Sequence, residues 1–395
     1  MQSRRDFLKI VGTTTGGVLF LPKFLSALPN GMYENYASDR QILVVVQLNG
    51  GNDGLNTFIP YDSPQYYDFR KSVAIPKDNI LKTSGGMGFH PSMQGFSDMM
   101  QQGNLSVIQN VGYPNPNRSH FRSIEIWQTG SAPNEYLTNG WLGRYLDSNC
   151  ATDDPLGGMN LDSIDALSLR GATNHSLTMQ DPVRFERQLK GLHEGTDEAF
   201  DANPNLDFVR KLMTNSFEGS DQIKKALEKT KADKETYPKH GLANNLHWIA
   251  RMIKGDLTTG VYYTSLGGFD THAGQLQKQK SLLNELSESV KAFHDDMLGA
   301  GLLKNVTLMV FSEFGRRVHD NGSGTDHGTA APVFIMGGGV KGGIIGRNPD
   351  LDHLDNGDLK HEYDFRSVYA AILKQKLKVD PLKAGIHVGA LNGLF

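Results

Sequence analysis

Short apolar runs, each closed by a polar, glycine-rich loop, set the rhythm of this chain. They cover residues 41–48, 105–111, 261–266, 306–311 and 333–336. Runs of this length bounded by glycines read as strands buried on both faces. Between the third and fourth lies a longer stretch, 275–298. There Leu276, Leu283, Leu286, Val290, Phe293 and Met297 recur at helical spacing, and Gly299 supplies a stop. Strand, helix, strand over 261–311 predicts a βαβ unit. Residues 181–254 are polar and predict a helical insertion or cap, and 364–377 predict a last helix. The expected architecture is α/β: a sandwich with a largely parallel central sheet, helices on both faces and the insertion about 181–254.

The first 30 residues follow a different pattern. Ser3-Arg4-Arg5-Asp6-Phe7-Leu8-Lys9 precedes an apolar stretch over 10–21, interrupted by Gly12, Gly16 and Gly17. This is the order of a twin-arginine signal, and the stretch is shorter than the roughly 20 residues of a membrane span. The expected location is therefore periplasmic or extracellular. The twin-arginine translocase would be the partner during export, and the protein would stay membrane-tethered if the segment is not cleaved near Ser26-Ala27-Leu28. Residues 38–395 are left as a single expected domain, and nothing specifies its oligomeric state.

Composition narrows the chemistry. A formal net charge of −3 gives no reason to expect nucleic acid. Cys150 is the only cysteine, so an intramolecular disulfide and a thiolate metal cluster are both excluded. Any metal must rest on His, Asp, Glu or Asn. That set suits zinc, manganese, calcium or magnesium.

Candidate ligands recur where the apolar runs end. Asn52-Asp53 follows the first run, between glycines that let backbone approach a ligand; Asp53 either binds a cation or stabilises its own turn. Arg118-Ser119-His120 follows the second, after a Pro-rich turn; Ser119 is either a helix cap or a nucleophile. Asp270-Thr271-His272 follows the third, offering ligands or a cap. Glu313 follows the fourth, as a ligand or as a salt-bridge partner of Arg316 or Arg317, and Asp326-His327 comes shortly after. His90-Pro91 reads as a structural turn. Functional groups gather where strands of such sheets end, so these loops are expected to build one composite site.

Five segments taken together carry a resemblance. They are Leu48-Asn49-Gly50-Gly51-Asn52-Asp53-Gly54, Asn117-Arg118-Ser119-His120-Phe121, Gly268-Phe269-Asp270-Thr271-His272, Ser312-Glu313-Phe314-Gly315-Arg316 and Gly324-Thr325-Asp326-His327-Gly328. In combination and order they resemble the bacterial domain of unknown function 1501, a family often exported by the twin-arginine route and itself similar to the alkaline phosphatase and sulfatase superfamily. The resemblance implies an alkaline-phosphatase-like fold with a metal site at the carboxyl edge of its sheet. It implies Asp53 as ligand of one metal, Asp270, His272 and His327 as ligands of another, and Ser119 as nucleophile; two nitrogens and an oxygen in the second set suit zinc or a similar divalent ion. Arg118 or Arg122 would hold substrate oxygens, and His120 would assist or attack. Glu313 stands where the superfamily has Asp followed by His. Phe314 cannot ligate, which implies one metal, a different metal or no catalysis.

The expectation is thus an exported metal-dependent hydrolase of a phosphate or sulfate ester, taking an anionic small molecule or polymer. The rival is a non-catalytic exported binding or scaffold protein with a degenerate metal site.

Overall fold

Seven consecutive residues of the first apolar run, Ile42–Leu48, are all buried, because the strand they form is packed on both sides. Its side chains alternate between two cores. Ile42, Val44, Val46 and Leu48 join one apolar cluster, and Leu43 and Val45 join the other. This is the period-2 geometry of a strand with helices above and below. The first cluster also takes Phe96, Ile249, Leu283 and Phe293. The second takes Ile126, Trp127, Leu142 and Val368. These residues lie on helices Gln94–Gln101, Gly241–Lys254, Gln275–Gly299, His120–Thr129, Trp141–Asn149 and Phe365–Ala371.

The computed structural model describes residues 40–151, 154–193, 204–231 and 236–395, without the side chains of 190–193 and 204–215. The expected export segment, 1–30, lies outside the described residues. Gln41–Phe395 forms one compact unit.

In chain order the strands are β1 Ile42–Leu48, β2 Phe58–Ile59, β3 Leu81–Lys82, β4 Gly88–Phe89, β5 Leu105–Gly112, β6 Gly158–Asn160, β7 Ser176–Thr178, β8 Val261–Leu266, β9 Val306–Ser312, β10 Ala331–Gly337, β11 Gly343–Ile345 and β12 Tyr363–Asp364. The large sheet runs β11-β5-β10-β9-β1-β8-β6-β7, with β12 beside β5, and β2-β4-β3 form a small separate sheet. β8 and β9 flank β1 in parallel, so the helix Gln275–Gly299 links them across β1. The stretch expected as a helical insertion holds the helices Pro182–His193, Pro204–Lys229 and Gly241–Lys254.

β10 is antiparallel to both neighbours, β5 and β9. The antiparallel direction of β10 is the one departure from the parallel order of β1, β5, β8 and β9. Asp326 and His327 precede the amino end of β10, and reversal of that strand brings them to the edge where β1, β5, β8 and β9 finish. Two glycines let the loops close there. Gly50, at φ +117°, has no room for a Cβ, which would lie 2.4 Å from the Asp270 amide. Gly51, at φ +72°, is covered by the Phe314 ring.

Candidate metal centre

Three histidines from three different loops meet around Asp270. His120 opens the helix after β5, His272 lies in the loop after β8, and His327 stands before β10. Their Nε2 atoms lie 3.5, 3.0 and 3.2 Å from Asp270 Oδ1. Ligand atoms of His120, Asp270 and His327 all fall within 4.8 Å of one another, as a shared metal ion requires.

The opposite ring nitrogens explain the convergence. His120 Nδ1 donates to Glu313 Oε1 at 2.9 Å, His272 Nδ1 to Asp326 Oδ1 at 2.9 Å, and His327 Nδ1 to the Arg118 carbonyl at 2.8 Å. Each partner is an acceptor, so each Nδ1 carries a proton, and each Nε2 donates to Asp270 when the ring is protonated or offers a lone pair to a cation when it is neutral. His272 Nε2 and His327 Nε2 are only 2.9 Å apart. Two bare lone pairs at that distance repel unless a cation or proton lies between them. Outward Nδ1–H bonds to carboxylate or carbonyl are also how metal-binding histidines are oriented. The donor set fits a borderline divalent cation.

Charge at the site is strongly organised. Burial opposes ionisation of Asp270, yet hydrogen bonds from Arg316 and His327 and the charges of Arg316 and His272 outweigh it, bringing the carboxyl down to about 2. The bond to Glu313 raises the His120 pKa above its ordinary value, against burial. The bond from His272 lowers that of Asp326.

Arg316 is the organiser that sequence reasoning missed. Its guanidinium reaches Asp270 Oδ1 at 2.6 Å and the carbonyls of Gly51, Thr325 and Phe269 at 2.7, 2.9 and 3.1 Å. It therefore ties three site loops to Asp270. The salt bridge considered for Glu313 is absent: Arg316 pairs with Asp270, Arg317 with Asp358, and Glu313 takes His120 and the Gly50 amide. Glu313 thus stands behind His120, away from the cluster of ligand atoms. Phe314 is buried, with its ring centroid 4.9 Å from both His120 and His327. It walls off one side of the cluster.

Asp53 is placed differently. Its carboxylate is fully buried against Arg70, with Gln275 donating to the same oxygen. Among the described residues, Asp53 belongs to no group of His, Cys, Asp or Glu ligand atoms within metal-binding reach of one another. Asp53, expected to bind one metal of the composite site, has Arg70 against its Oδ2, while its Oδ1 is buried with no hydrogen-bond partner among the described residues.

Ser119 caps the helix by position, but its hydroxyl makes no cap hydrogen bond. It is exposed beside His120, and the first-turn amides of His120, Phe121 and Arg122 have no acceptor among the described residues. The Arg118 side chain pairs with buried Asp358, and Arg122 holds the Pro133 and Glu135 carbonyls. His90 is a structural turn residue: its Nδ1 accepts from the Ser92 amide at 3.0 Å.

Among solved structures the chain is similar to the phosphonate monoester hydrolase SpPMH from Silicibacter pomeroyi, at 8% identity over 90% of this chain and 78% of that one, with a TM-score of 0.41. It is similar to the phosphonate monoester hydrolase of Agrobacterium radiobacter at 8% identity over 90% and 79%, TM-score 0.39. It is similar to the alkaline phosphatase PafA at 11% identity over 72% and 64%, TM-score 0.34. No curated protein matches. The model of the family described as "Protein of unknown function (DUF1501)" matches residues 40–378. The chain belongs to the DUF1501 family.

Proposed function

We propose that this protein is a metal-dependent hydrolase of a phosphate or sulfate ester, acting outside the cytoplasm after twin-arginine export. The observation that carries the reading is the set of outward-anchored Nδ1 groups turning imidazole Nε2 atoms onto one carboxylate. His120, His327 and Asp270 would hold the ion, and two nitrogens with one oxygen suit zinc. Such an ion, when bound, supplies a Lewis acid for an ester oxygen and lowers the pKa of a neighbouring hydroxyl.

The remaining residues supply position and proton handling. Ser119 offers its hydroxyl at a helix start whose free amides and partial positive charge favour an anionic ester. His272, held by Asp326, has its Nε2 on the exposed side of the cluster, where it can take and return a proton. Phe314 and the Asp53–Arg70 pair favour one metal over two.

His272 also favours a second reading. Its Nε2 is as near Asp270 as that of His327. If it ligates, four protein donors complete a tetrahedral zinc and leave no position for substrate. That arrangement belongs to a binding or scaffold protein.

Turnover of a panel of phosphate and sulfate esters by the zinc-loaded protein separates the two. The hydrolase reading expects turnover, and expects Ser119→Ala to lower it by about 1,000-fold or more with zinc content unchanged. No turnover across the panel at full metal occupancy establishes the scaffold reading. Export is tested separately. Replacing Arg4 and Arg5 together by Lys should retain the protein in the cytoplasm, and undiminished export would refute the twin-arginine assignment.

A further inference from the structure

Arg316 is not alone in holding the loop that carries His327. Asp358 reaches the same loop by another route. Its side chain is 1% exposed and lies between two arginines. Arg118 donates to Oδ2, and Arg317 Nε stands 3.5 Å from Oδ1. Oδ1 has no hydrogen-bond partner among the described residues, so Arg118 makes the closer attachment. A buried carboxylate is costly unless paired, which holds carboxylate and guanidinium together. Both arginines then reach the His327 loop through their backbone. The Arg118 carbonyl accepts from His327 Nδ1 at 2.8 Å. The Arg317 amide donates to the carbonyl of Asp326, the residue before His327, at 2.9 Å. Thr329 Oγ1 donates to the carbonyl of Leu359, the residue after Asp358, at 2.6 Å.

Arg118 needs such an anchor. Residues 114–119 are exposed, and 114–118 make no backbone-to-backbone hydrogen bond among the described residues. The Tyr113 hydroxyl accepts from the Asn117 amide at 3.1 Å, and the Asp358 pair is the side-chain hold on the residue that follows. We propose that Asp358 is a positioning residue for the metal centre. Through Arg118 it fixes the carbonyl that takes the His327 Nδ1 proton, and so turns the opposite nitrogen, Nε2, towards Asp270 and a bound ion. The inference rests on the metal reading for its zinc arm; the bond between His327 and Arg118 is read in metal-free protein as well.

The full chain, labelled with ¹⁵N-histidine, is followed by NMR of its imidazole N–H groups without metal, and its zinc affinity is measured by chelator competition. His120→Ala, His272→Ala and His327→Ala assign the three Nδ1–H signals by their disappearance. Arg118→Ala and Asp358→Asn should each speed exchange of the His327 Nδ1 proton with water about tenfold and weaken zinc binding about tenfold, with the His120 and His272 signals unchanged. The double variant should be no weaker than either alone, because the two residues act in one chain. Arg118→Lys, which keeps a cation for Asp358, should stay within about twofold of wild type on both counts. Arg118→Ala changes a side chain that is 40% exposed, and it decides the matter if Asp358→Asn fails to fold. Unchanged exchange at His327 would overturn the proposal. Equal loss of all three signals would also overturn it, since that is general loosening of the site. If wild type binds no zinc the metal reading fails, and the exchange rates still decide what holds His327.

Discussion

Asp53 and Asp270 follow neighbouring strands, β1 and β8, that pair in parallel, and both sit in glycine-rich loops at one sheet edge. Their fates differ. Asp53 is buried against Arg70, and both side chains are completely inaccessible. Asp270 is half exposed and faces three imidazoles. A strand-end carboxylate in a flexible-looking loop is therefore not a metal ligand by address alone. Its partner decides: a permanent guanidinium meets the Asp53 charge internally, whereas the imidazoles around Asp270 can exchange their Nε2 protons for a bound cation.

The comparison breaks most readily at Asp53. Asp53→Ala strands the buried Arg70 guanidinium and should cost about 3–5 kcal/mol of stability, read by chemical denaturation, while folded protein keeps its metal. Loss of metal with stability unchanged would place Asp53 in the metal centre. His327→Ala should do the reverse. Removing one ligand should weaken zinc binding on the order of 100–1,000-fold by competition with a chelator, with little change in the stability of the metal-free protein. Unchanged affinity would make His327 a packing residue.

A histidine outside the site sharpens the contrast by pH. Burial lowers the His90 pKa to about 4 from the ordinary 6.5, with Lys280 adding to the effect. Between those values the unfolded chain binds the proton and the folded one does not. The stability contributed by neutral His90 is complete above about pH 6.5 and is lost as pH falls towards 4. Unfolding free energy should drop by roughly 1–2 kcal/mol between pH 7 and pH 5 on this account. His90→Asn should flatten that part of the profile, and an equally steep profile in the variant would assign the loss elsewhere.

The long buried strands and the helix Gln275–Gly299 were legible because their apolar residues keep one period over several turns or residues. β6 and β7, three residues each, are too short to show a period. The reversed direction of β10 left a trace: residues 313–330 lack the helical periodicity that a parallel crossover needs. Site residues were legible as types at strand ends, but their pairing was not. Arg70 follows the short helix Pro64–Phe69 and carries no local mark of its attachment to Asp53. Arg316 lay in a recognised segment, yet its hold on Asp270 and on the distant Gly51 and Phe269 carbonyls depends on loops far apart in the chain.

The central claim is that one divalent ion rests on His120, Asp270 and His327, and that Asp53 holds none. Anomalous diffraction at the zinc edge from crystals soaked in zinc tests this directly. The account predicts one peak, about 2.0–2.2 Å from His120 Nε2, His327 Nε2 and the Asp270 carboxylate. No peak there at saturating zinc, or a peak beside Asp53, would contradict it.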